Sequence, residues 1–324
     1  MQKKTKALSE AALITTIISI VGLSAMFIPV VSLVVFLTFV PLIVLGKKHG
    51  IKYASLSLVA SSIIIGMFAG PVYAVSLILL LGSPSLVMGW LLNKEKSAAT
   101  IIGAGVVSAL VSMVMLIGFS QIVTGVPLFD TMKTIFDEST KMQQGIFASM
   151  GTDPAKIADM MKKLAETKDQ IMLIIPGALV AWAVAMTLFN YIVAVKILKR
   201  SGQKVPEMPL FRDFVLPKNV LIGTIVVYLM SVLATKLNIV DPKVLMANVQ
   251  ILIIYTYGVQ GIAVAAWYMH RRKMKMVFQV IIIAAILLSS IGTIVFFMLG
   301  VAETGLSIRK RINFKDDERQ KKIQ

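Results

Sequence analysis

Residues 98–124 read AATIIGAGVVSALVSMVMLIGFSQIVT and contain no charged side chain. An α-helix of this length would be about 40 Å long, at roughly 1.5 Å per residue, and would exceed the roughly 30 Å hydrocarbon core of a bilayer. Inside lipid, backbone N–H and C=O groups must be paired within the protein, and an unbroken apolar run achieves this as a helix. The segment is therefore predicted to be a membrane-spanning helix.

Apolar stretches of this kind recur along most of the chain. Of the 324 residues, 57% are hydrophobic and 15% are charged, against about 25% charged residues in a soluble domain. The candidate membrane spans are 8–28, 30–46, 53–69, 71–92, 98–124, 171–195, 219–236, 244–269 and 276–306. We expect the last stretch to divide at Ser289-Ser290-Gly292. The sequence thus predicts an all-α, polytopic transmembrane bundle with nine or ten membrane segments.

The distribution of the +17 net charge predicts the orientation of these segments. With the N-terminus inside, all seven arginines and most of the lysines fall in inner segments, which is the pattern of the positive-inside rule. We therefore expect a plasma-membrane protein with a cytoplasmic N-terminus and C-terminus. The basic residues are expected to attract anionic lipids at the inner face rather than nucleic acid.

The predicted organisation has four parts. Residues 1–196 form a six-helix membrane core, 197–218 an inner loop rich in proline and aromatic residues, 219–308 the C-terminal membrane helices, and 309–324 a basic cytoplasmic tail.

Residues 125–170, inside the core, differ in composition from the spans and are predicted to form an outer amphipathic helical insertion. They are acidic and lysine-bearing, with no arginine. Asp153-Pro154 is typical of a helix start, because aspartate caps free amide groups and proline suits the first helical position. Two interpretations remain open: helices that pack together over the outer membrane surface, or a methionine-rich groove for a partner.

Polar side chains inside the spans are the candidates for solute binding, since such residues are costly in lipid. Each of them could instead form a hydrogen bond between helices. The candidate solute-binding residues are Asn190, Gln250, Tyr255 and Gln260.

Two further features point to packing at the inner side. Ala7-x-x-x-Ala11 has the small-residue spacing that allows close approach of a partner helix. Glu303 is the one acid in the last apolar stretch and is expected to pair with Arg309 or Lys310.

The sequence contains none of the catalytic motifs that can be recognised from residue spacing. The chain has no cysteine and two histidines, both in inner basic loops, and lacks phosphate-loop, zinc-protease and serine-hydrolase motifs. We therefore expect no enzyme activity, no cofactor and no metal site.

The whole chain resembles the YybS family of Gram-positive membrane proteins of unknown function. The resemblance lies in the six-helix N-terminal part, the outer insertion, the inner loop with PLFRDFVLP at 209–217, and the terminal LSIRKR at 306–311. The resemblance implies a polytopic membrane fold but does not imply a particular activity.

Residues 1–196 more distantly resemble the substrate-binding S component of energy-coupling-factor transporters. In that family a small-residue motif on the first helix faces the coupling subunit. The corresponding motif here would be Ala7 and Ala11. The resemblance implies a bound small solute and a partner ATPase module. The alternative function is a non-transporting membrane scaffold that recruits envelope or signalling proteins.

Overall fold

All regular structure in the described residues is helical, and the predicted all-α polytopic fold is confirmed. The computed structural model describes residues 2–28, 31, 35–206, 210–237, 241–289 and 291–312. The α-helices are α1 (Gln2–Phe27), α2 (Phe39–His49), α3 (Ile51–Ala69), α4 (Pro71–Asn93), α5 (Ala98–Thr124), α6 (Leu128–Ser149), α7 (Pro154–Arg200), α8 (Asn219–Lys236), α9 (Pro242–Arg271), α10 (Met276–Leu288) and α11 (Gly292–Leu306).

In the described part of the chain, seven of these helices are long and apolar enough to cross a membrane: α1, α3, α4, α5, α7, α8 and α9. Helices α10 and α11 together pass the same test but meet at a bend of 112°. The predicted division of 276–306 is therefore present, although Ser290 lies outside the described residues. The predicted span 30–46 is described only in part, with α2 at its end. Residues 313–324 of the predicted basic tail also lie outside the described residues.

Helix α7 is 47 residues long, or about 70 Å, and joins the insertion to the sixth span without a break. The Asp153 carboxylate caps its start by accepting a hydrogen bond from the Ala155 amide. No glycine or proline occurs from 155 to 175, so nothing in the sequence ends the helix there. The second helix of the predicted insertion is therefore continuous with a candidate span and is not a separate helix.

The chain forms two compact units, Met1–Lys168 with Trp182–Glu207, and Asp169–Ala181 with Met208–Gln324. In the first unit, α2 lies at the centre of the apolar core, and Leu42, Ile43 and Leu45 are fully buried. Helices α2 and α4 approach closely where Gly46 meets Gly89, since a methyl group at Gly46 would lie 3.0 Å from the Gly89 Cα.

In the second unit, α9 and α11 pack backbone to backbone at two glycines. A methyl group built at Gly261 would overlap the carbonyl of Phe296, and one at Gly300 would overlap the carbonyl of Tyr257. The Phe296 side chain is itself buried. Small residues permit such close packing in membranes, where van der Waals contact replaces the hydrophobic effect between helices.

We predict that Gly261→Ala lowers the apparent melting temperature of the detergent-purified protein, because backbone atoms of α11 would have to move. Overpacking of this kind typically costs about 1–3 kcal/mol. Gly258→Ala is the matched control on the same helix, since its methyl group would meet no atom within 4 Å. Equal melting temperatures for Gly261→Ala and Gly258→Ala in a thermal-shift assay would contradict the proposed contact.

Candidate functional site

Two features of the structure could carry function: a buried polar cluster in the second unit and an exposed helical hairpin in the first. The polar cluster holds the loop that follows α7, and we call it the loop clamp. It comprises Gln260, Glu303 and Arg309 with the backbone of residues 211–216.

The core of the loop clamp is a buried ion pair. Ser307 adopts a left-handed backbone with φ of 50°, which ends α11 and turns the chain back on itself. Arg309 Nε then lies 2.8 Å from Glu303 Oε1, and the Arg309 amide donates to Oε2 at 3.1 Å. Both residues are at most 6% exposed. The pair expected from the sequence is therefore formed, with Arg309 rather than Lys310.

The remaining guanidinium nitrogens of Arg309 bind the loop. Nη1 donates to the carbonyl of Arg212 and Nη2 to that of Phe214, each at 2.7 Å. Gln260 Oε1 accepts a hydrogen bond from the Leu216 amide at 3.0 Å. Charge-assisted bonds from a planar guanidinium are among the stronger hydrogen bonds in proteins, so this loop is held firmly against α9 and α11.

The three predicted solute-binding residues on α9 have different environments. Gln260 is fully buried and already bonded to the loop, whereas Gln250 and Tyr255 are exposed. Tyr257, which is not among the predicted candidates, is buried and donates its hydroxyl hydrogen to Thr224 Oγ1 at 3.0 Å. Gln250 and Tyr255 thus do not share the buried environment of Gln260.

Asn190, the fourth candidate, is buried in the first unit beside a small apolar cavity. Its Nδ2 donates to the Met186 carbonyl at 2.9 Å, while its Oδ1 meets no donor among the described residues. The cavity, which Phe39 and Trp182 also line, encloses about 20 Å³. That volume has room for about one water molecule.

Asn248, a polar residue of α9 that is not among the four candidates, forms hydrogen bonds to the backbone of another helix, as is typical of amides inside membrane spans. Its Oδ1 accepts from the Gly177 amide, and its Nδ2 donates to the Leu173 carbonyl at 2.7 Å. These two groups are the partners of one i→i−4 helical bond of α7, next to Pro176. The amide side chain thus serves both groups where proline perturbs the helix. Pro176 is the sequence feature that indicates a perturbed helical hydrogen bond at this position.

Ala7 and Ala11 are not available as a surface for another subunit. They are 3% and 2% exposed, and Ala11 packs against Leu45 and Ala54 of the same chain. The Ala11 carbonyl also accepts a hydrogen bond from Ser57 Oγ at 3.2 Å. The small-residue face that was expected to meet a partner helix is therefore filled by α2 and α3.

The second feature is the hairpin of α6 and the first part of α7, residues 128–168. An ion pair joins its two helices, with Lys168 Nζ 2.6 Å from Asp137 Oδ1. One face of α6 is apolar but exposed to the surroundings, and we call it the exposed stripe. It consists of Ile135, Met142, Ile146 and Met150, the last of which follows directly after α6.

Comparison with known proteins gives a family but no activity. Residues 16–304 match the family described as "Predicted membrane protein (DUF2232)". The chain is also 22% identical over 320 residues to the uncharacterized protein YybS of Bacillus subtilis (strain 168). The aligned region covers 96% of this chain and 99% of YybS. The resemblance to YybS is confirmed, and the resemblance to S components finds no support. No solved structure matches the chain.

We predict that Arg309→Met raises hydrogen exchange at the amides of residues 211–216, because the loop loses two hydrogen bonds and Glu303 is left as an unpaired buried charge. Breaking such a pair costs about 3–5 kcal/mol. Lys310→Met is the matched control, since Lys310 is exposed. Exchange mass spectrometry that finds the same loop protection in Arg309→Met, Lys310→Met and the parent protein would rule out the loop clamp.

Proposed function

Given that the chain belongs to the DUF2232 family of predicted membrane proteins, we propose that it is a non-enzymatic membrane scaffold. In this proposal the hairpin of residues 128–168 binds an envelope or signalling protein. The observation that carries the proposal is the exposed stripe on α6.

The exposed stripe has the composition of a binding surface. Its four side chains are between 50% and 73% exposed. A large apolar patch that is left open to water is a typical mark of a protein interaction site. Two of the four side chains are methionines, whose flexible thioether chains adapt to the shape of an apolar partner. An amphipathic helix of a partner protein would fit such a face.

The length of α7 supports a position of this stripe in water rather than in lipid. The apolar part of α7 begins near Ile171, and the helix starts at Pro154, 17 residues earlier. The extension of α7 before this apolar part, residues 154–170, is about 26 Å long, which is more than the roughly 5–8 Å thickness of a headgroup layer. The ion pair of Lys168 with Asp137 ties α6 to this extension. The end of the exposed stripe at Met150 would therefore lie beyond the membrane surface.

The charge distribution supports a plasma-membrane location with both termini in the cytoplasm. Basic side chains cluster at or just after the C-terminal ends of α2, α7 and α9, whereas the hairpin carries lysines balanced by acids and has no arginine. By the positive-inside rule the hairpin would then face the outside. In this orientation the partner would be an extracytoplasmic protein or domain.

A second candidate function is binding or transport of a small solute with an energy-coupling ATPase module or other membrane proteins. The observation that favours it is Asn190, whose buried Oδ1 meets no donor among the described residues beside the cavity. The cavity would have to enlarge to admit a solute. Ala7 and Ala11 could not dock such a module, because they are buried.

For this second candidate, we predict that Asn190→Leu abolishes retention of any small molecule that co-purifies with the protein. Gln250→Ala should leave retention unchanged, since Gln250 is exposed and is not one of the residues that line the cavity. Mass spectrometry of denatured extracts measures the retained molecule. A solute retained equally by Asn190→Leu and the parent protein would contradict binding at Asn190.

For the scaffold, we predict that Met142→Ser, Ile146→Ser and Met150→Ser together reduce capture of the partner about tenfold or more. Burial of one such side chain is worth about 1.5–3 kcal/mol, and about 1.4 kcal/mol corresponds to a factor of ten in affinity. The measurement is quantitative mass spectrometry of proteins cross-linked in cells and purified with the full-length chain.

The matched control is Lys141→Ala with Gln144→Ala. Both residues are exposed on α6 and lie on the side away from the exposed stripe. The control should retain every partner at the parental level. Partners that survive loss of the stripe, or that are lost equally in the control, would exclude the stripe as the binding surface.

A further inference from the structure

Three apolar side chains are exposed on the loop that the loop clamp holds. Leu210, Phe211 and Val215 are between 51% and 56% exposed, and we call them the loop face. Arg309 and Gln260 fix the backbone of this loop with three hydrogen bonds. A loop that is fixed in this way cannot fold over to bury its apolar side chains. The loop face is therefore a permanent feature of the surface.

The contact of the loop with α9 indicates how deep the loop lies in the membrane. Gln260, which accepts the Leu216 amide, lies 11 residues before the last residue of α9, or about 16 Å along the helix. Residues 261–269 contain no charged side chain, so this part of α9 is also suited to lipid. Tryptophan is typical of the level where headgroups meet hydrocarbon, and Trp267 is about 10 Å nearer to the end of α9 than Gln260 is. The Leu216 end of the loop is therefore at membrane depth.

The backbone of the loop is paired as this depth requires. Protein groups bond to the carbonyls of Leu210, Phe211, Arg212 and Phe214 and to the amide of Leu216. Non-helical backbone occurs at membrane depth where protein groups satisfy its N–H and C=O groups. A loop in water would obtain these partners from solvent. The loop clamp thus provides what an embedded loop needs.

Apolar exposure continues along the chain from the loop into α8. This helix begins at Asn219, shortly after the loop, and is apolar and long enough to span a membrane. Its exposed side chains include Ile222, Ile225, Val226 and Leu229. Such side chains on a membrane span contact acyl chains. The loop face therefore directly precedes a lipid-facing segment.

Two charged side chains limit how far the loop can enter the hydrocarbon. Asp213 is exposed within the loop, and Lys218 is exposed just after it. A charged group is costly in hydrocarbon but is accommodated among headgroups, where lysine also attracts anionic lipids. These residues favour a position of the loop at the boundary between headgroups and acyl chains, with the loop face on the acyl side.

We propose that the loop face inserts into the lipid leaflet next to the C-terminal end of α9. The partner of this surface is the bilayer and not a soluble protein. The buried ion pair of Glu303 with Arg309 then serves to pair the backbone of an embedded loop. This surface is separate from the hairpin, so the inference can fail without affecting the proposed scaffold function.

The test measures which quencher reaches a fluorescent label on the loop. Because the chain has no cysteine, Phe211→Cys and Val215→Cys each provide a single site for the fluorophore NBD in the full-length protein. The labelled protein is reconstituted into vesicles of phosphatidylcholine and phosphatidylglycerol. One set of vesicles contains phosphatidylcholine with a nitroxide on its acyl chain near the headgroup. The other set has iodide in the water on both sides of the bilayer.

We expect the nitroxide lipid to quench both loop labels as strongly as a label at Ile225→Cys, which is exposed on the span α8. Lys275→Cys is the aqueous control, since Lys275 is exposed in the turn after α9. Iodide should quench the loop labels at least about threefold less than the label at Lys275→Cys, because an anion is excluded from hydrocarbon. Equal iodide quenching at the loop and at Lys275→Cys would overturn the proposal. Weak quenching by both quenchers would also overturn it, since a protein surface would then cover the loop face.

A second measurement tests the part that the loop clamp has in this position. Arg309→Met should raise iodide quenching of the label at Val215→Cys toward the value at Lys275→Cys, because two loop carbonyls lose their partners and turn to water. Lys310→Met is the matched control and should leave the quenching unchanged. The same iodide quenching in both variants would contradict the role of the loop clamp in holding the loop at membrane depth.

Discussion

The structure depends first on one constraint, namely that no backbone N–H or C=O can remain unpaired in lipid. Helices satisfy this constraint along most of the described chain. Where a helix is perturbed or ends, side chains take over the pairing. Asn248 bonds the Gly177 amide and the Leu173 carbonyl beside Pro176, and Arg309 bonds two carbonyls of the loop at Arg212 and Phe214. In the second unit, Asn248 and Arg309 thus provide hydrogen-bond partners for backbone groups.

This accounts for the outcome at the polar candidates. A buried amide in a membrane helix can bind a solute or complete the backbone pairing, and spacing along the sequence does not separate the two roles. Gln260 proved to be bonded to the Leu216 amide, 44 residues away along the chain. The glycine contacts of α9 with α11 follow the same logic, since close backbone packing leaves no room for a solute between these helices at Gly261 and Gly300.

Much of the fold could be predicted from the sequence, because apolar length and charge asymmetry are local properties. The starts of α7 and α9 at Asp-Pro pairs and the pairing of Glu303 with Arg309 also rest on short-range signals. The environment of the alanines at 7 and 11 depends on how distant segments meet and could not be predicted, since they were expected to face a partner but pack within the chain. The continuation of α7 past residue 170 was missed for another reason: the composition changes there, but no glycine or proline ends the helix between 155 and 175.

The central claim is that the hairpin extends away from the membrane with its exposed stripe in water. Because the chain has no cysteine, Met150→Cys provides a single site for a spin label. The most direct measurement is electron paramagnetic resonance of this label in vesicles, which compares relaxation by a water-soluble nickel complex with relaxation by oxygen dissolved in lipid. The account predicts strong relaxation by nickel and weak relaxation by oxygen. Dominant relaxation by oxygen would place the hairpin on the bilayer and contradict the account.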